Sequence, residues 1–423
     1  MSDRSLFCML LAVSNMSCER AAPPSTERSG ESVIGGAVVP VVDNREPVWE
    51  RSWTVDPAPL FRIGDESGRP EYELFRVSSA FLLSDGRLVI ANAGTNEIRY
   101  YDDTGAFIRS VGGEGDGPGE LRTPFILIPL AADSIAVGDL RLARLSIFDS
   151  AGEFVRSASF GDARMSAPVA RLSEGEYLFS TMSYIVTGDD AGPVRAERYR
   201  MDVSVFDEAT ASMDTIASLP WVEMVIAPMG TTRSDGAPMV GPRPRTFGRM
   251  TWLSGRPGGG FVVADNARPE LELRDAAGHV TTVVRWPVEP RAITADDVER
   301  ELDHRLSRST SPELRRVLQE SLSQHPPPAD IMPFFGCAYD WCPSQALLVD
   351  TEGNMWVRDY APRADTSPNR YMVFDSEGEW LGRVEIPAGL GVGWIGADRL
   401  VAKTTTDLGV EIVSVHGLVK GGA

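Results

Sequence analysis

Nine polar residues punctuate the chain at comparable places, each following a short apolar run: Asn92 and Asn96, Asp139 and Arg141, Asp265 and Asn266, Arg358 and Asp359, and Lys403. Carboxylate and amide oxygens gathered round one opening can hydrogen-bond a polar ligand or, in another combination, hold a hard divalent cation such as calcium. Turns favour the same residue types, because Asn and Asp side chains bond the backbone two residues on. For any single one of the nine, turn chemistry is favoured over ligand binding.

Familiar catalytic constellations are missing. Neither a Gly-x-Ser-x-Gly elbow nor a His-Glu-x-x-His metal motif occurs, and His279, His304, His325 and His416 are scattered. Gly112 to Glu120 is the most glycine-dense stretch, yet no Gly-Lys-Ser/Thr follows and the Gly-x-Gly-x-x-Gly spacing is absent. It reads as a tight connection in which glycine permits positive φ, with a cation on Glu114, Asp116 and Glu120 as the minor reading. Cys337 and Cys342 are the cysteines that follow Cys18, and in an oxidising compartment they would close a small disulfide loop. Zinc would need more soft ligands than the chain supplies. The expectation is no catalytic set, no metal site and no cofactor, calcium being the ion to consider.

The elements that would position these residues recur. One unit runs through Ser79–Leu83, Arg87–Ala91, Asn96–Asp102, a turn ending at Gly105, and Ala106–Val111; the next runs from Phe125 to Ser157 with its turn at Gly152. The spacing falls within the roughly 40 to 50 residues of a four-stranded propeller blade. Further copies start near Val169, Met250, Ala346 and Gly391, and the last stops after three strands. An apolar stretch within Trp49–Ile63 is free to supply the missing outer strand, which would close the ring and remove its open edges. The sequence thus predicts an all-β, six-bladed propeller of four-stranded antiparallel blades, its N-terminal strand completing the last blade.

In such blades the first-to-second and third-to-fourth turns share one face, and here they are short, as at Ser84–Gly86, Ala131–Asp133, Asp102–Gly105, Asp149–Gly152 and Thr351–Gly353. The other face receives the long segments Val186–Arg198, Trp221–Arg249 and Arg291–Gln345. Length variation on loops is where binding usually resides. About 291–330 reads as a helical insertion between blades four and five: Thr294 is placed as an N-cap, Leu302, Leu306, Leu314, Val317, Leu318 and Leu322 recur at helical spacing, Pro312 divides two helices and Pro326–Pro328 ends the second. Packing on the rim is favoured over capping of the channel.

A formal net charge of −19 repels phosphate backbones and anionic lipid surfaces, which removes nucleic acid from the partner classes. Arg4 followed by the apolar run Leu6–Val13 reads as an export signal over 1–18, too short to span a bilayer. Ser14–Cys18 resembles a bacterial lipoprotein cleavage site with Cys18 as the lipidated residue, although Asn15 departs from the pattern and plain secretion stays open. Residues 19–47 read as a flexible tether and 48–423 as the propeller. The expected location is extracytoplasmic: periplasmic, or anchored to the outer membrane as a lipoprotein, with membrane contact only through such an anchor.

The blade pattern Asp85–Ile90 with Tyr100–Gly105, and the interblade stretch Val111–Leu121 followed by Pro124, resemble the bacterial six-bladed β-propeller proteins related to NHL-repeat propellers. The resemblance covers roughly Trp49 to the C-terminus. It implies the fold and an exported or lipid-anchored protein, and supplies no catalytic residues, since shared fold does not entail shared activity. The leading functional expectation is a non-enzymatic binding or scaffolding module for a peptide, glycan or protein through the insertion-bearing face. The alternative is a divalent-cation-dependent propeller hydrolase or lyase of the lactonase type, with Asn92, Asp139, Asp265, Asn266 and Asp359 as candidate ligands.

Overall fold

The computed structural model describes residues 30–34, 36–49, 52–64, 68–161, 166–183, 197–232, 238–307, 314–333, 346–360 and 368–421. Cys18, Cys337 and Cys342, and therefore the lipidation and disulfide expectations, lie outside them, as does most of Val186–Arg198.

Six radial antiparallel sheets form the body. Blade one is built from Val77–Leu82, Leu88–Asn92, Glu97–Tyr101 and Phe107–Gly112, and blade two from Pro124–Pro129, Ile135–Asp139, Arg144–Phe148 and Phe154–Ser159. Blade three comprises Ser166–Ser173, Glu176–Ser183, Glu197–Asp207 and Ser212–Thr232, blade four Thr251–Gly255, Phe261–Asp265, Glu270–Arg274 and Val280–Arg285. Blade five comprises Leu347–Val349, Met355–Arg358, Asn369–Phe374 and Trp380–Ile386, blade six Gly391–Ile395, Arg399–Thr405 and Glu411–Val419. The fourth strand of blade six is Thr54–Ile63, which pairs antiparallel with Glu411–Val419 from Val413↔Ile63 to Val419↔Thr54. The first and last strands of the ring thus close one blade, as the strand count predicts.

Second strands are buried on both faces because each blade packs between two others. Leu88–Asn92 and Ile135–Asp139 are buried throughout, and the core is a series of interblade seams, such as Trp286, Phe374 and Trp380 with Val262 and Leu271 between blades four and five. The short-turn face is set by one repeated device. Asp102 accepts from the backbone N–H of Thr104 (2.9 Å) and Ala106 (2.8 Å), and Gly105 at φ 87° reverses the chain. Asp149, Asp275 and Asp375 repeat it before Gly152, Gly278 and Gly378. A side-chain acceptor at the turn's start fixes its register, and glycine removes the steric cost of positive φ.

Two segments read as connections are strands. Within the stretch expected to be a tether, Glu31–Ile34 pairs with Ala37–Asp43, which adds parallel to the outer strand of blade four through Val41↔Val283, Val42↔Val284 and Asp43↔Arg285. Val39 and Val41 bury their side chains against Val283 there, which is the apolar gain that orders the segment. The next residues strap the rim: the Asn44 amide donates to Arg285 O (3.1 Å) and Gly378 O (2.9 Å) and accepts from Trp380 N–H (2.8 Å), and Trp49 N–H donates to Leu381 O (2.8 Å). In blade three the outer strand overshoots the sheet and folds back as Pro238–Pro244, so much of Trp221–Arg249 is a β-hairpin and not an irregular loop.

The helical insertion sits between blades four and five, with α1 at Ala295–Ser307 and α2 at Leu314–Gln324. A two-residue ladder, Arg291↔Ile331 and Ala292↔Asp330, closes its neck. Among the described residues no helix is long and apolar enough to cross a membrane.

Candidate functional site

The face opposite the aspartate turns carries the second-to-third loops, the blade-three hairpin and the insertion. These excursions touch one another. Arg245 in the hairpin's return donates through Nε (2.9 Å) and Nη2 (2.6 Å) to the carbonyl of Pro326, just past α2, and pairs with Glu223 at 2.6 Å. Arg305 in α1 donates to Thr246 Oγ1 (3.1 Å), and Leu318 and Leu322 line a small cavity with Val225 and Pro244. At its other end the insertion is tied to blade five: Arg291 lies over the Tyr360 ring at 5.1 Å, and Tyr360 N–H donates to Pro333 O (3.0 Å). The insertion therefore runs from blade five to the hairpin of blade three.

Its first turn is held by charge. Thr294 caps α1 and exchanges hydrogen bonds with Asp297, whose fully buried carboxylate also meets Arg291 (2.9 Å) and Arg300 (2.5 Å). Burial pushes the Asp297 pKa up, but these guanidinium and Thr294 bonds outweigh it and hold the carboxyl well below its usual range.

The polar residues after the second strands do lie on this face, and four of them are committed to the scaffold. Asn92 Oδ1 accepts from Phe75 N–H (2.7 Å). Asp139 takes four backbone N–H groups, from Arg122, Thr123, Arg141 and Leu142. Asn266 Oδ1 accepts from Met250 N–H (2.7 Å), while Asp265 accepts from Ala267 N–H and from Arg198 at 2.6 Å. In blades one, two and four, then, the side chain at the end of the second strand stitches it to the backbone entering the first. Asn92 and Asp139 are buried and Asp265 and Asn266 half-buried, and with these bonds made they hold loops and offer little to a ligand.

The remaining five are less uniform. Lys403 lashes blade six to blade one through Val77 O (3.0 Å) and Glu411 (3.1 Å), and Arg358 reaches Asn369 Oδ1 (2.6 Å). Asn96 sits at φ 57° with Oδ1 buried and without a hydrogen bond, and Arg141 is exposed. Asp359 is the chemically unspent member. Its carboxylate stands 3.8 Å from Arg370 and 3.7 Å from Arg383, and burial raises its pKa against the pull of both arginines.

The carboxylates do not converge on a cation. The six innermost strands contain no Asp, Glu or His, and among the described residues no group of three His, Cys, Asp or Glu is arranged to hold a metal. In the glycine-rich connection Arg122 bridges Glu114 (3.0 Å) and Asp116 (2.8 Å), and Glu120 accepts from Gly117 N–H, so those carboxylates already have partners. Sequence reasoning did not single out Arg245 and Arg291, which tie the insertion to its neighbours. The signal available was weak, an arginine near each end of a long excursion.

Comparison with known proteins places this geometry. Residues 72–213 match a family described as a 6-bladed beta-propeller, and no curated protein matches the chain. Similar solved structures include a Bacteroides fragilis protein described as exported (12% identity, TM-score 0.47, 90% of this chain and 100% of that one). A DUF4221 family member from Bacteroides vulgatus aligns at 11% identity and TM-score 0.48 over 88% and 99%. The calcium-binding protein regucalcin from Agrobacterium tumefaciens aligns at 10% and 0.39 over 85% and 94%. Blade count, strand order and family match agree: the chain is a six-bladed β-propeller, as its resemblance to the NHL-related propellers implies.

Proposed function

We propose that this propeller is an exported, non-enzymatic binding or scaffolding module that takes a peptide, glycan or protein on its insertion-bearing face. One observation carries the reading: the blade-three hairpin and the helical insertion lie on a single face and brace each other through Arg245 and Pro326, while the opposite face is closed by repeated aspartate turns. A rigid scaffold with elaboration on one face is the arrangement of recognition proteins. The export signal over 1–18, with acylation at Cys18, would present that face outside the cytoplasm.

The neck ladder indicates how to test it. Replacing 294–329 by a two-residue Gly turn joins strands already paired at Ala292 and Asp330. Affinity capture from envelope extracts should recover a partner with the full chain and lose it with the excised one, both melting cooperatively. Equal recovery, or none with the full chain, overturns the proposal. Cys18→Ser should move the protein from the membrane fraction to the soluble one.

A further inference from the structure

A groove that gathers three arginines lies at the outer edge of blade four, away from the channel mouth. Because Ala37–Asp43 adds parallel to the outer strand, both strands end on the loop-bearing face and leave an open groove of about 590 Å³ there. Arg45 comes from the N-terminal strap, Arg268 from the second-to-third loop, Glu270 from the start of the third strand, and Arg285 and Trp286 from the end of the outer strand. Glu270, its side chain 12% exposed, pairs with Arg268 at 2.9 Å and Arg285 at 3.3 Å. Those arginines are 65% and 43% exposed, so a largely buried carboxylate fixes two guanidinium groups whose remaining donors are open to the groove. Arg45 is exposed and has no carboxylate partner among the described residues. The opposing charge is Asp43, exposed at the rim.

We infer that this groove binds an acidic peptide. Three guanidinium groups against Asp43 and Glu270 make a locally positive site on a chain of net charge −19, and planar guanidinium forks match carboxylates in bidentate geometry. A peptide is favoured over an acidic glycan by Pro269 and the exposed Pro287, which line the groove beside the guanidinium groups and can take an apolar side chain. The strap carries one of the three arginines, so the site is incomplete without it.

The test is fluorescence anisotropy with a labelled tetraglutamate peptide and its tetraglutamine counterpart, on the full chain at low salt and again at about 0.15 M, where screening shortens the reach of exposed charges. The acidic peptide should bind and the neutral one should not. Arg45→Ala and Arg268→Ala should each weaken binding about tenfold, and Asp43→Asn should tighten it, with melting unchanged for Arg45→Ala. Arg62→Ala, an exposed arginine on blade six, should have no effect. Absence of binding, equal loss with Arg62→Ala, or binding of oligogalacturonate in place of the peptide would overturn the inference. None of these variants touches the insertion, so this result is independent of the excision experiment.

Discussion

Arg245 holds the carbonyl of Pro326 with two donors, at 2.9 and 2.6 Å, and thereby fastens the end of α2 to the blade-three hairpin. Hydrogen bonds from a charged donor contribute about 1.5–3 kcal/mol. Arg245→Ala should loosen docking of the insertion by about 2 kcal/mol while blade cores stay protected. Hydrogen exchange would show faster exchange over 314–324 with 88–92 unchanged. Lysine should not restore protection, because it lacks the fork.

Asp297 supplies a pH dependence. Its folded-state pKa is depressed, so its contribution is complete above the unfolded carboxylate value of about 3.9 and is lost as pH falls through the folded value. Limited proteolysis should find the insertion intact near neutrality and increasingly cut in strong acid, before the propeller unfolds. Asp297→Ala leaves Arg291 and Arg300 without their shared buried partner. It should cost the insertion about 3 kcal/mol, the low end for breaking a buried ion pair, and make it cleavable at pH 7.

Asp359 has the opposite sign. Burial raises its pKa, so the folded state favours the protonated form. That preference stabilises below the unfolded value of about 3.9 and is lost as pH rises through the folded one, which makes the ionised group a net cost at pH 7. Asp359→Asn should raise the melting temperature at pH 7, with the gain vanishing as both proteins are taken into acid. A lower melting temperature at pH 7 would show that the Arg370 and Arg383 contacts outweigh burial.

The two N-terminal strand segments should differ in consequence. A chain beginning at Asn44 loses Ala37–Asp43 but keeps Thr54–Ile63, and should fold with a modest drop in melting temperature. A chain beginning at Gly64 exposes the outer edge of Glu411–Val419 and uncovers Val413 and Val415, which are buried beneath Phe61 and Ile63. It should aggregate or lose cooperative unfolding, as size-exclusion chromatography and calorimetry would record.

The blades were legible in the sequence because four of them repeat the same local chemistry, an aspartate and a glycine bracketing the third-to-fourth turn, and all six carry short apolar runs. Thr54–Ile63 was legible only as a shortfall elsewhere, since blade six lacked a strand. What escaped was structure decided by distant partners. Val38–Val42 is interrupted by Pro40 and follows the polar run Glu19–Ser32, and the proline is tolerable because the ladder to blade four begins one residue beyond it, at Val41. The hairpin after Trp221 carries Pro228, Pro238, Pro242 and Pro244, which read as loop. For the nine polar residues the spacing located the loop-bearing face but could not say which were already saturated. Asn92 and Asp139 hold backbone N–H groups of Phe75, Arg122 and Thr123, and that depends on how the incoming connection folds.

Thr54–Ile63 is translated before every other strand of the ring, yet the strand it needs, Glu411–Val419, is translated after all of them. Sealing the circle therefore waits for Glu411–Val419 and carries the closure cost of the long loop between the two strands. Until that strand is made the early segment has no sheet to join, and the ring stays open.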